Sequence, residues 1–323
     1  MSKSIYIAGH KGMVGSSILK KISNEYPEYN IILRTKKELN LLNQSKVCKF
    51  FKENHIDIIY FAAAKVGGIL ANSSYPYEFL HENIVIQSNI INAAIENNIE
   101  EMLFLGSSCI YPKFSRQPIK EEYLLTNSLE QTNEPYALAK IAGIKLCESS
   151  NIQYGTDYRC LMPTNLYGPG DLFDLEKSHV LPALINKFIN AKENKIDEVE
   201  VWGSGRARRE FLHVDDLANA AIYFSHLSKE TYWKDNNKHI SHINIGTGKD
   251  LTILELANLI SELTEFKGKI KFNTDKPDGV AQKLLDISKA QKLGWTPLVS
   301  FSTGLKETIK WYINNKDTDG IRN

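Results

Sequence analysis

Short apolar runs alternate with amphipathic stretches along the first half of the chain. The segments SIYIAG, YNIILR, IDIIYFAAA, EMLFLGSS and DYRCLMP are predicted to be strands, and segments with helical periodicity separate them. Near-continuous apolar strands of this kind occur in parallel sheets that helices cover on both faces. The pattern therefore predicts an α/β fold built on a doubly wound parallel sheet of the Rossmann type.

The second half of the chain has a less regular pattern. SHVLPALINKFINA and TILELANLISELT predict helices, and a further helix begins near Asp215, with Asp215 or Asp216 as its cap. HINIGTG predicts a strand that returns to the first sheet. We expect a dinucleotide-binding domain over 1–165, with returning segments near 213–248. Residues 166–323 are expected to form most of a smaller, interleaved α/β substrate domain.

Composition and charge narrow the class of protein. Of 323 residues, 42% are hydrophobic and 24% charged, and the net charge of +1 predicts no nucleic-acid partner. No apolar run reaches about 18 residues, so we expect no membrane span. The first residues enter a strand pattern without a signal peptide, and the four cysteines lack CxxC spacing. We therefore expect a cytoplasmic protein with free thiols and no metal site.

A glycine-rich turn follows the first predicted strand. In YIAGHKGMVGSS, three glycines recur at every third position, and a helical pattern begins there. Glycines let the backbone approach a pyrophosphate, and the helix N-terminus supplies free N–H groups. The alternative is a tight structural turn. The candidate dinucleotide-binding residues are Gly9, Lys11, Gly12, Met13, Val14 and Gly15.

The end of the second predicted strand favours one cofactor. An NAD site usually has an acidic residue there, but this strand ends LRTKKELNL. Arg34, Lys36 and Lys37, with Lys11 in the glycine turn, suit a 2′-phosphate. We therefore expect NADP(H). Lys36 and Lys37 could instead be solvated surface charges, so Arg34 is the stronger candidate.

A serine, a tyrosine and a lysine form a second candidate group. Tyr136 and Lys140 lie four residues apart on a predicted helix and so share one face. A nearby ammonium lowers the pKa of a phenol, which makes it a usable proton donor or acceptor. Ser107 or Ser108, at the end of the fourth strand, could hydrogen-bond a carbonyl under reduction. The alternative is a surface Tyr and Lys on an amphipathic helix.

Together, the glycine turn, the serine at a strand end and the Tyr-x-x-x-Lys helix resemble the extended short-chain dehydrogenase/reductase family. The resemblance covers nearly the whole chain. Within the family it is closest to the members that convert GDP-4-keto-6-deoxy-D-mannose to GDP-L-fucose. The strings that carry it are GHKGMVGS, AAAKVGGILAN, GSSCIYPK, EPYALAKIAGIKLCE, MPTNLYGP, SHVLPAL and REFLHVDD.

The resemblance implies a role for each catalytic candidate. It implies that Ser107 and Tyr136 bind the ketone at carbon 4, and that Tyr136 donates the proton during hydride transfer from NADPH. It also implies that Lys140 lowers the pKa of Tyr136 and binds the nicotinamide ribose. Cys109 matches the epimerisation base, and His179 matches the partner acid. The alternatives are a buried spectator for Cys109 and a polar role at a helix N-terminus for His179.

Elementary chemistry agrees with this assignment. Epimerisation beside a ketone requires a base on one face of the sugar and an acid on the other. A thiolate is favoured by nearby positive charge, and histidine titrates near neutral pH. The ketone held by Ser107 and Tyr136 would stabilise the enolate at carbon 3 and then at carbon 5. One site could thus epimerise before it reduces.

The resemblance also implies the remaining contacts. Basic residues would neutralise the diphosphate of a GDP-linked 4-keto sugar, with Lys187 where arginine is often found. Trp202 could cover the sugar or base, or belong to the core. Pro163 and His179 are expected at the cofactor. The substrate candidates are Asn165, Val180, Lys187, Trp202, Arg209, Asp278 and Lys283.

One loop departs from the family pattern. YGPGDLFDLEKSHV has Leu172 where asparagine is common, and its DLEK is also unusual. The loop runs into His179, so it could change the substituent accepted at carbon 5 or 6. The alternative substrate is a GDP-4-keto heptose of bacterial capsule or lipopolysaccharide synthesis, reduced with little or no epimerisation. A further alternative is an NADP-binding regulator without catalysis.

Two long helices bear on assembly. The segments from Pro76 to Asn98 and from Tyr136 to Tyr154 resemble the helices that form a four-helix dimer interface in the family. Both contain substantial apolar surface. The resemblance therefore implies a homodimer.

Overall fold

The computed structural model describes residues 2–175, 178–276 and 278–318, with the side chain of Ile69 left aside. These residues form a mixed α/β structure. The strands are β1 Ser4–Ala8, β2 Asn30–Ile32, β3 Ile58–Phe61, β4 Glu101–Leu105, β5 Asp157–Pro163, β6 Asn165–Tyr167, β7 Glu198–Trp202, β8 Arg208–His213, β9 Ile243–Ile245, β10 Asp250–Thr252, β11 Lys269–Asn273 and β12 Gln282–Lys283.

The helices follow the periodicity of the sequence. They are α1 Met13–Glu25, α2 Gln44–Glu53, α3 Ile69–Ser74, α4 Pro76–Glu96, α5 Glu134–Tyr154, α6 Val180–Glu193, α7 Val214–His226, α8 Lys229–Trp233, α9 Ile253–Thr264, α10 Ser288–Lys292 and α11 Phe301–Asn315. Short 3₁₀ turns cover Ser108–Ile110 and Glu121–Tyr123. Within the described ranges, no helix is long and apolar enough to cross a membrane.

The larger sheet has six parallel strands in the order β2-β1-β3-β4-β5-β9. The chain moves outward from β1 to β2 and then returns to β3 on the other side of β1. This reversal opens a crevice at the carboxyl ends of β1 and β3, where open α/β sheets bind ligands. The predicted Rossmann-type sheet is confirmed, including the return of HINIGTG as its edge strand β9.

Helices cover both faces of this sheet. On β1, Ile5 and Ile7 pack with α1, α7 and α10, whereas Tyr6 and Ala8 pack with α2, α4 and α5. Both side-chain sets are almost fully buried. Because neither face meets water, the strands need apolar residues at consecutive positions, which explains their near-continuous hydrophobic pattern.

The remaining strands build a second, smaller α/β unit. β8 pairs with β10, β12 and β6, and β7 pairs in parallel with β11. Helices α6, α9 and α11 bury their apolar faces in its core. A bridge between Ile119 and Leu285 ties this unit to the first half of the chain. The units are therefore interleaved, while the division at 1–165 and 166–323 between cofactor and substrate stays a prediction.

The predicted cap of the helix near Asp215 is wrong. α7 begins directly after β8, and the cap is His213, whose Nδ1 accepts a hydrogen bond from the backbone N–H of Asp215 at 3.3 Å. Asp215 instead accepts a bond from Ser17 Oγ at 2.6 Å, and Asp216 accepts from the amide of Leu298 at 2.8 Å. Because β8 runs directly into α7, the last residue of the strand, His213, is the N-cap of the helix.

Candidate active site

The glycine turn lies at the carboxyl end of β1 and leads into α1. Gly9 has φ +86°, and the N–H of Gly12 donates to the carbonyl of Gly9 at 2.8 Å. A Cβ at Gly15 would lie 2.2 Å from that carbonyl oxygen. Glycine is thus required for the helix to start against the turn. No side chain caps the N-terminus of α1 in the described chain, so its N–H groups are free of a side-chain partner and could bind a pyrophosphate.

A cation lies just beyond the end of β2. Arg34 is exposed, its guanidinium is 5.3 Å from the ring centroid of Phe50, and it donates to the carbonyl of Leu33 at 2.8 Å. Lys36 and Lys37 are also exposed. A stacked and hydrogen-bonded guanidinium is positioned for a phosphate in a way that a solvated lysine is not. Phe50 carried no sequence signal for this role.

An acidic residue also lies near this cation. Glu38 Oε2 accepts a hydrogen bond from the backbone N–H of Thr35 at 2.7 Å, and that bond lowers the pKa of the carboxyl, with Arg34 and Lys11 contributing. The Glu38 carboxylate therefore already holds the turn that follows β2 through its bond with Thr35. The crevice and its cations fit a dinucleotide with a 2′-phosphate.

Burial decides between the two candidate serines after β4. Ser108 is buried, whereas Ser107 is partly exposed and its Oγ accepts a hydrogen bond from the N–H of Cys109 at 3.3 Å. The Ser107 side chain is also hydrogen-bonded to Tyr136. Ser107 is therefore the serine that a bound carbonyl could reach.

Tyr136 and Lys140 share one face of α5, as their spacing predicted. The ammonium of Lys140 donates to the carbonyl of Leu105 at 2.8 Å and lies 4.9 Å from the ring centroid of Phe104. It lies 5.9 Å from the ring centroid of Tyr136. Burial lowers the pKa of Lys140 from 10.5 to about 8. The lysine is thus a buried cation that joins α5 to the end of β4.

The effect of Lys140 on the pKa of Tyr136 stays a prediction, and the local surroundings of the phenol set the direction of its shift. Burial raises the pKa of Tyr136 above its ordinary value of 10.0, the neighbouring Cys109 raises it further, and the hydrogen bond with Ser107 lowers it. Desolvation of the phenolate is the largest of these effects. Tyr136 consequently stays protonated at neutral pH, which is the state that a proton donor needs.

Cys109 is only partly buried and lies beside a cation. The thiol is partly exposed, and Nζ of Lys283 lies 3.8 Å from its sulfur. His179 precedes α6, and its exposed side chain caps no N–H of that helix in the described chain. Protein atoms around the imidazole desolvate it although the residue keeps an exposed surface, and this desolvation and the charge of Lys283 lower the pKa of His179. Lys283 therefore lies beside the Cys109 thiol and is near enough to His179 to affect the pKa of its imidazole.

Trp202 does not belong to the core. Its side chain is 44% exposed, and its ring centroid lies 5.2 Å from Nζ of Lys187 and 5.3 Å from Nζ of Lys276. Lys187 also donates to the carbonyl of Glu200 at 3.0 Å, and burial lowers its pKa. An aromatic face with two cations suits an anionic, aromatic ligand. Lys276 was missed by the sequence interpretation because a lone surface lysine gives no signal.

Asp278 and Arg209 lie on adjoining segments. Both carboxylate oxygens of Asp278 accept bonds from Ser204, from its N–H at 2.6 Å and from its hydroxyl at 2.7 Å. Arg209 donates to the backbone carbonyl of Asp278 at 3.3 Å, and burial lowers its pKa. The Asp278 carboxylate thus holds the turn around Ser204, and the Arg209 guanidinium has no carboxylate within ion-pair distance among the described residues.

The other candidates lie at the ends of three elements, β5, β6 and α6. Pro163 ends β5 and is buried, Asn165 donates to the carbonyl of Glu210 at 2.8 Å, and Val180 is a partly exposed first residue of α6. In the unusual loop, the N–H of Leu172 donates to Asp171 at 2.8 Å. Glu176 and Lys177 of DLEK lie outside the described residues.

A buried carboxylate that the sequence interpretation missed organises this region. Glu210 is fully buried, and it accepts bonds from the N–H groups of Thr247 at 2.6 Å, Gly248 at 2.7 Å and Leu285 at 2.9 Å. Burial raises its pKa. The acidic residue inside the strand RREFLH was the available signal. Glu210 fixes β12, and with it Lys283, against β8.

The fold and the Ser107–Tyr136–Lys140 group define a Rossmann-type oxidoreductase class. The chain belongs to the NAD dependent epimerase/dehydratase family, whose profile matches residues 5–246. The match includes the glycine turn, β4 and α5. It also includes Cys109 and His179, but it ends before Lys283.

Full-length relatives narrow the comparison. The chain is 51% identical over 318 residues to a GDP-L-fucose synthase of Escherichia coli, covering 98% of this chain and 99% of the relative. A GDP-D-glycero-L-gluco-heptose synthase of Campylobacter jejuni, solved in the presence of NADPH, has a TM-score of 0.90 at 38% identity and covers 97% and 98%. A GDP-mannoheptose C4 reductase of the same organism, solved with NADP bound, has a TM-score of 0.87 at 38% identity, with the same coverage.

Proposed function

We propose that this protein is an NADPH-dependent epimerase/reductase that converts GDP-4-keto-6-deoxy-D-mannose to GDP-L-fucose. The observation that carries the proposal is that Tyr136 is hydrogen-bonded to Ser107 and lies close enough to Cys109 for that thiol to affect its pKa, at the carboxyl edge of the sheet. The 51% identity to a GDP-L-fucose synthase over nearly the whole chain supports the choice of substrate. The enzyme is a nucleotide-sugar oxidoreductase.

The cofactor is NADP(H), which supplies the hydride when it is bound. The turn from Gly9 to Gly15 would hold its pyrophosphate at the N-terminus of α1. Arg34, stacked on Phe50, would hold the 2′-phosphate. Pro163, at the end of β5, would line the nicotinamide side of the crevice.

Reduction depends on Tyr136 as the proton donor. Ser107 and Tyr136 would each donate a hydrogen bond to the ketone oxygen at carbon 4 and so polarise it. Because the pKa of Tyr136 is raised, its hydroxyl keeps the proton until the oxygen gains negative charge. Lys140 holds α5 against β4 through Leu105 and keeps a positive charge beneath the phenol.

Epimerisation would use Cys109 and His179. The thiolate of Cys109 would remove the proton from carbon 3 and later from carbon 5, while Ser107 and Tyr136 stabilise the enolate oxygen. His179 would return a proton to the opposite face. Since the ketone is needed for both exchanges, epimerisation has to precede reduction.

The nucleotide would bind to the smaller unit. Lys187 and Arg209 would neutralise the diphosphate, and the exposed face of Trp202 would contact the sugar or the base. Asp278 would act mainly by holding the turn at Ser204. Asn165 and Val180 line the approach to the sugar.

A GDP-4-keto heptose is the second candidate substrate. It is favoured by the two Campylobacter relatives and by Leu172 in the loop that leads to His179. NADPH consumption measured with each sugar under the same conditions separates the two. We expect faster turnover of GDP-4-keto-6-deoxy-D-mannose; equal or faster turnover of the heptose would overturn the fucose assignment.

We further propose that the protein is a homodimer formed through α4 and α5. The two helices pack together, and each leaves apolar side chains exposed, such as Ile84 on α4 and Leu138 and Leu146 on α5. Leu138→Glu should give monomers in light scattering. Leu298→Glu, at a position that is 75% exposed outside these helices, is the matched control and should remain dimeric. A monomeric wild-type protein would contradict the proposal.

We also propose that the protein acts in the cytoplasm. All four cysteines are free, and buried Cys147 and Cys160 are hydrogen-bonded to each other without a disulfide. Thiols that lie this close persist in a reducing compartment. Cell fractionation tests this, and recovery in a secreted fraction would contradict it.

A further inference from the structure

Lys283 was expected to contact the diphosphate, but its ammonium lies beside the thiol of Cys109. Its ammonium nitrogen is 3.8 Å from the sulfur of Cys109, the residue that would act as the epimerisation base. The same ammonium acts on His179 and contributes to the lowered pKa of that imidazole. One cation therefore reaches both residues that would exchange protons with the sugar.

The backbone fixes Lys283 in this position. β12 pairs with β8 so that Lys283 lies opposite Arg209. The next residue, Leu284, accepts a hydrogen bond from the N–H of Ile119 at 2.7 Å, and its own N–H donates to Gln117 Oε1 at 2.8 Å. The strand is thus held on both sides, by the smaller unit and by the segment that follows Cys109.

Other charged and titratable groups also face Cys109. Tyr136, on α5, lies near enough for Cys109 to raise its pKa. Tyr111, Lys113 and Glu130 line the same small cavity of about 30 Å³ as Cys109. Lys113 is paired with Glu130 at 2.7 Å, so those two charges offset each other. Among the described residues, no carboxylate lies within ion-pair distance of Lys283. Its charge is therefore directed at the thiol.

We propose that Lys283 is a positioning residue for epimerisation, which supplies the positive charge against which the Cys109 thiolate forms. The proposal rests on the proposed function and adds a residue to it. The thiolate takes the proton from carbon 3, and the electron pair of that C–H bond moves to the ketone oxygen as the enolate forms. Sulfur ends as the neutral thiol, and Lys283 remains an ammonium throughout.

Alkylation of the free protein tests this without any substrate. In a Cys48→Ser background, Cys109 is the partly exposed thiol, because Cys147 and Cys160 are buried. The rate of iodoacetamide addition, followed as a function of pH, reports the thiolate. Lys283→Met should slow the reaction at neutral pH by roughly tenfold, in keeping with the loss of one charge about 4 Å from the sulfur. Lys283→Arg should retain most of the rate.

Lys187→Met is the matched control. It removes another expected diphosphate contact, which lies on Trp202 and not on Cys109. We expect an unchanged alkylation rate in this variant, although both variants should raise KM for the nucleotide sugar. Thermal unfolding of each variant checks that it is folded. Lys283→Met alkylated at the wild-type rate across the pH range would overturn the proposal.

Deuterium exchange then tests the role of Lys283 and the proposed function separately. With GDP-4-keto-6-deoxy-D-mannose in deuterated water and no NADPH, Lys283→Met should slow incorporation into the sugar more than it raises KM. Lys187→Met should raise KM with little loss of the maximal exchange rate. If both variants change KM and the maximal exchange rate to the same extent, Lys283 is a diphosphate contact and not a positioning residue. Absence of exchange in the wild-type protein would contradict the proposed function, while the alkylation result would still decide the role of Lys283.

Discussion

Lys140 donates a hydrogen bond of 2.8 Å to the carbonyl oxygen of Leu105, the last residue of the strand that leads to Ser107. This bond crosses from helix α5 to strand β4, the two elements that carry the proton donor and its serine partner. Lys140 therefore acts on the geometry of the site as well as on its charge. It is a buried cation, and its protonation affects the stability of the fold.

The stability of the protein should depend on the protonation of Lys140. Burial lowers its pKa from 10.5 to about 8, so the unfolded state binds more protons between these values. The free energy of unfolding should therefore rise with pH in this window, relative to a Lys140→Met variant, by up to roughly 3 kcal/mol. Denaturant unfolding of both proteins from pH 7 to 10.5 measures the difference. A difference that is constant or falls with pH would contradict the burial of the charge.

Removal of the Tyr136 hydroxyl should abolish reduction and spare cofactor binding. Tyr136→Phe removes the proton donor but preserves the ring, so reduction should slow by roughly 10²- to 10⁴-fold. NADPH affinity, measured by fluorescence titration, should stay close to wild type. Tyr154→Phe is the control, since Tyr154 is exposed at the end of the same helix. Retained reduction in Tyr136→Phe would remove Tyr136 from the mechanism.

NADPH binding should be sensitive to a substitution at Gly15 and insensitive to one at the next residue, Ser16. A methyl group at Gly15 would meet the carbonyl of Gly9, so Gly15→Ala should weaken NADPH binding by roughly 10- to 100-fold through a displaced turn. Ser16 is exposed and its hydroxyl donates to the carbonyl of Met13, at 3.0 Å, so Ser16→Ala should bind NADPH normally. Calorimetric titration compares the two, and equal affinities would place the pyrophosphate elsewhere.

Cofactor preference should depend on Arg34. Arg34→Met removes the charge but keeps an apolar chain over Phe50, and it should lower the preference for NADPH over NADH by roughly 10- to 100-fold, as expected for lost charge-assisted hydrogen bonds. Lys37→Met is the matched control, because Lys37 is exposed without such a contact in the described chain. The ratio of kcat/KM values for the two cofactors measures the preference. An unchanged ratio in Arg34→Met would assign the 2′-phosphate to another cation.

Much of the fold could be predicted because its physical cause is local. Strands such as β1 are apolar at successive positions because helices cover both faces of the sheet, and this leaves a direct mark on the sequence. The cap of α7 could not be predicted in the same way. Asp215 has the better intrinsic preference for a cap, but β8 continues to His213 and takes that position.

The site was predictable only where its parts lie close in sequence. Tyr136 and Lys140 meet because they are one helical turn apart, whereas 174 residues separate Cys109 from Lys283. Their contact depends on β12 pairing with β8, which no spacing reveals. The raised pKa of Tyr136 also depends on how deeply its hydroxyl is packed, which the spacing of Tyr136 and Lys140 does not reveal. The exposed position of Trp202 likewise follows from tertiary packing.

The most direct test of the account is the fate of solvent hydrogen during turnover. The protein would be given GDP-4-keto-6-deoxy-D-mannose and NADPH in deuterated water, and the product would be analysed by NMR. We predict GDP-L-fucose that carries deuterium at carbons 3 and 5, because Cys109 and His179 exchange both protons before Tyr136 completes the reduction. A sugar reduced at carbon 4 without deuterium at either position would contradict the account and leave a plain ketoreductase.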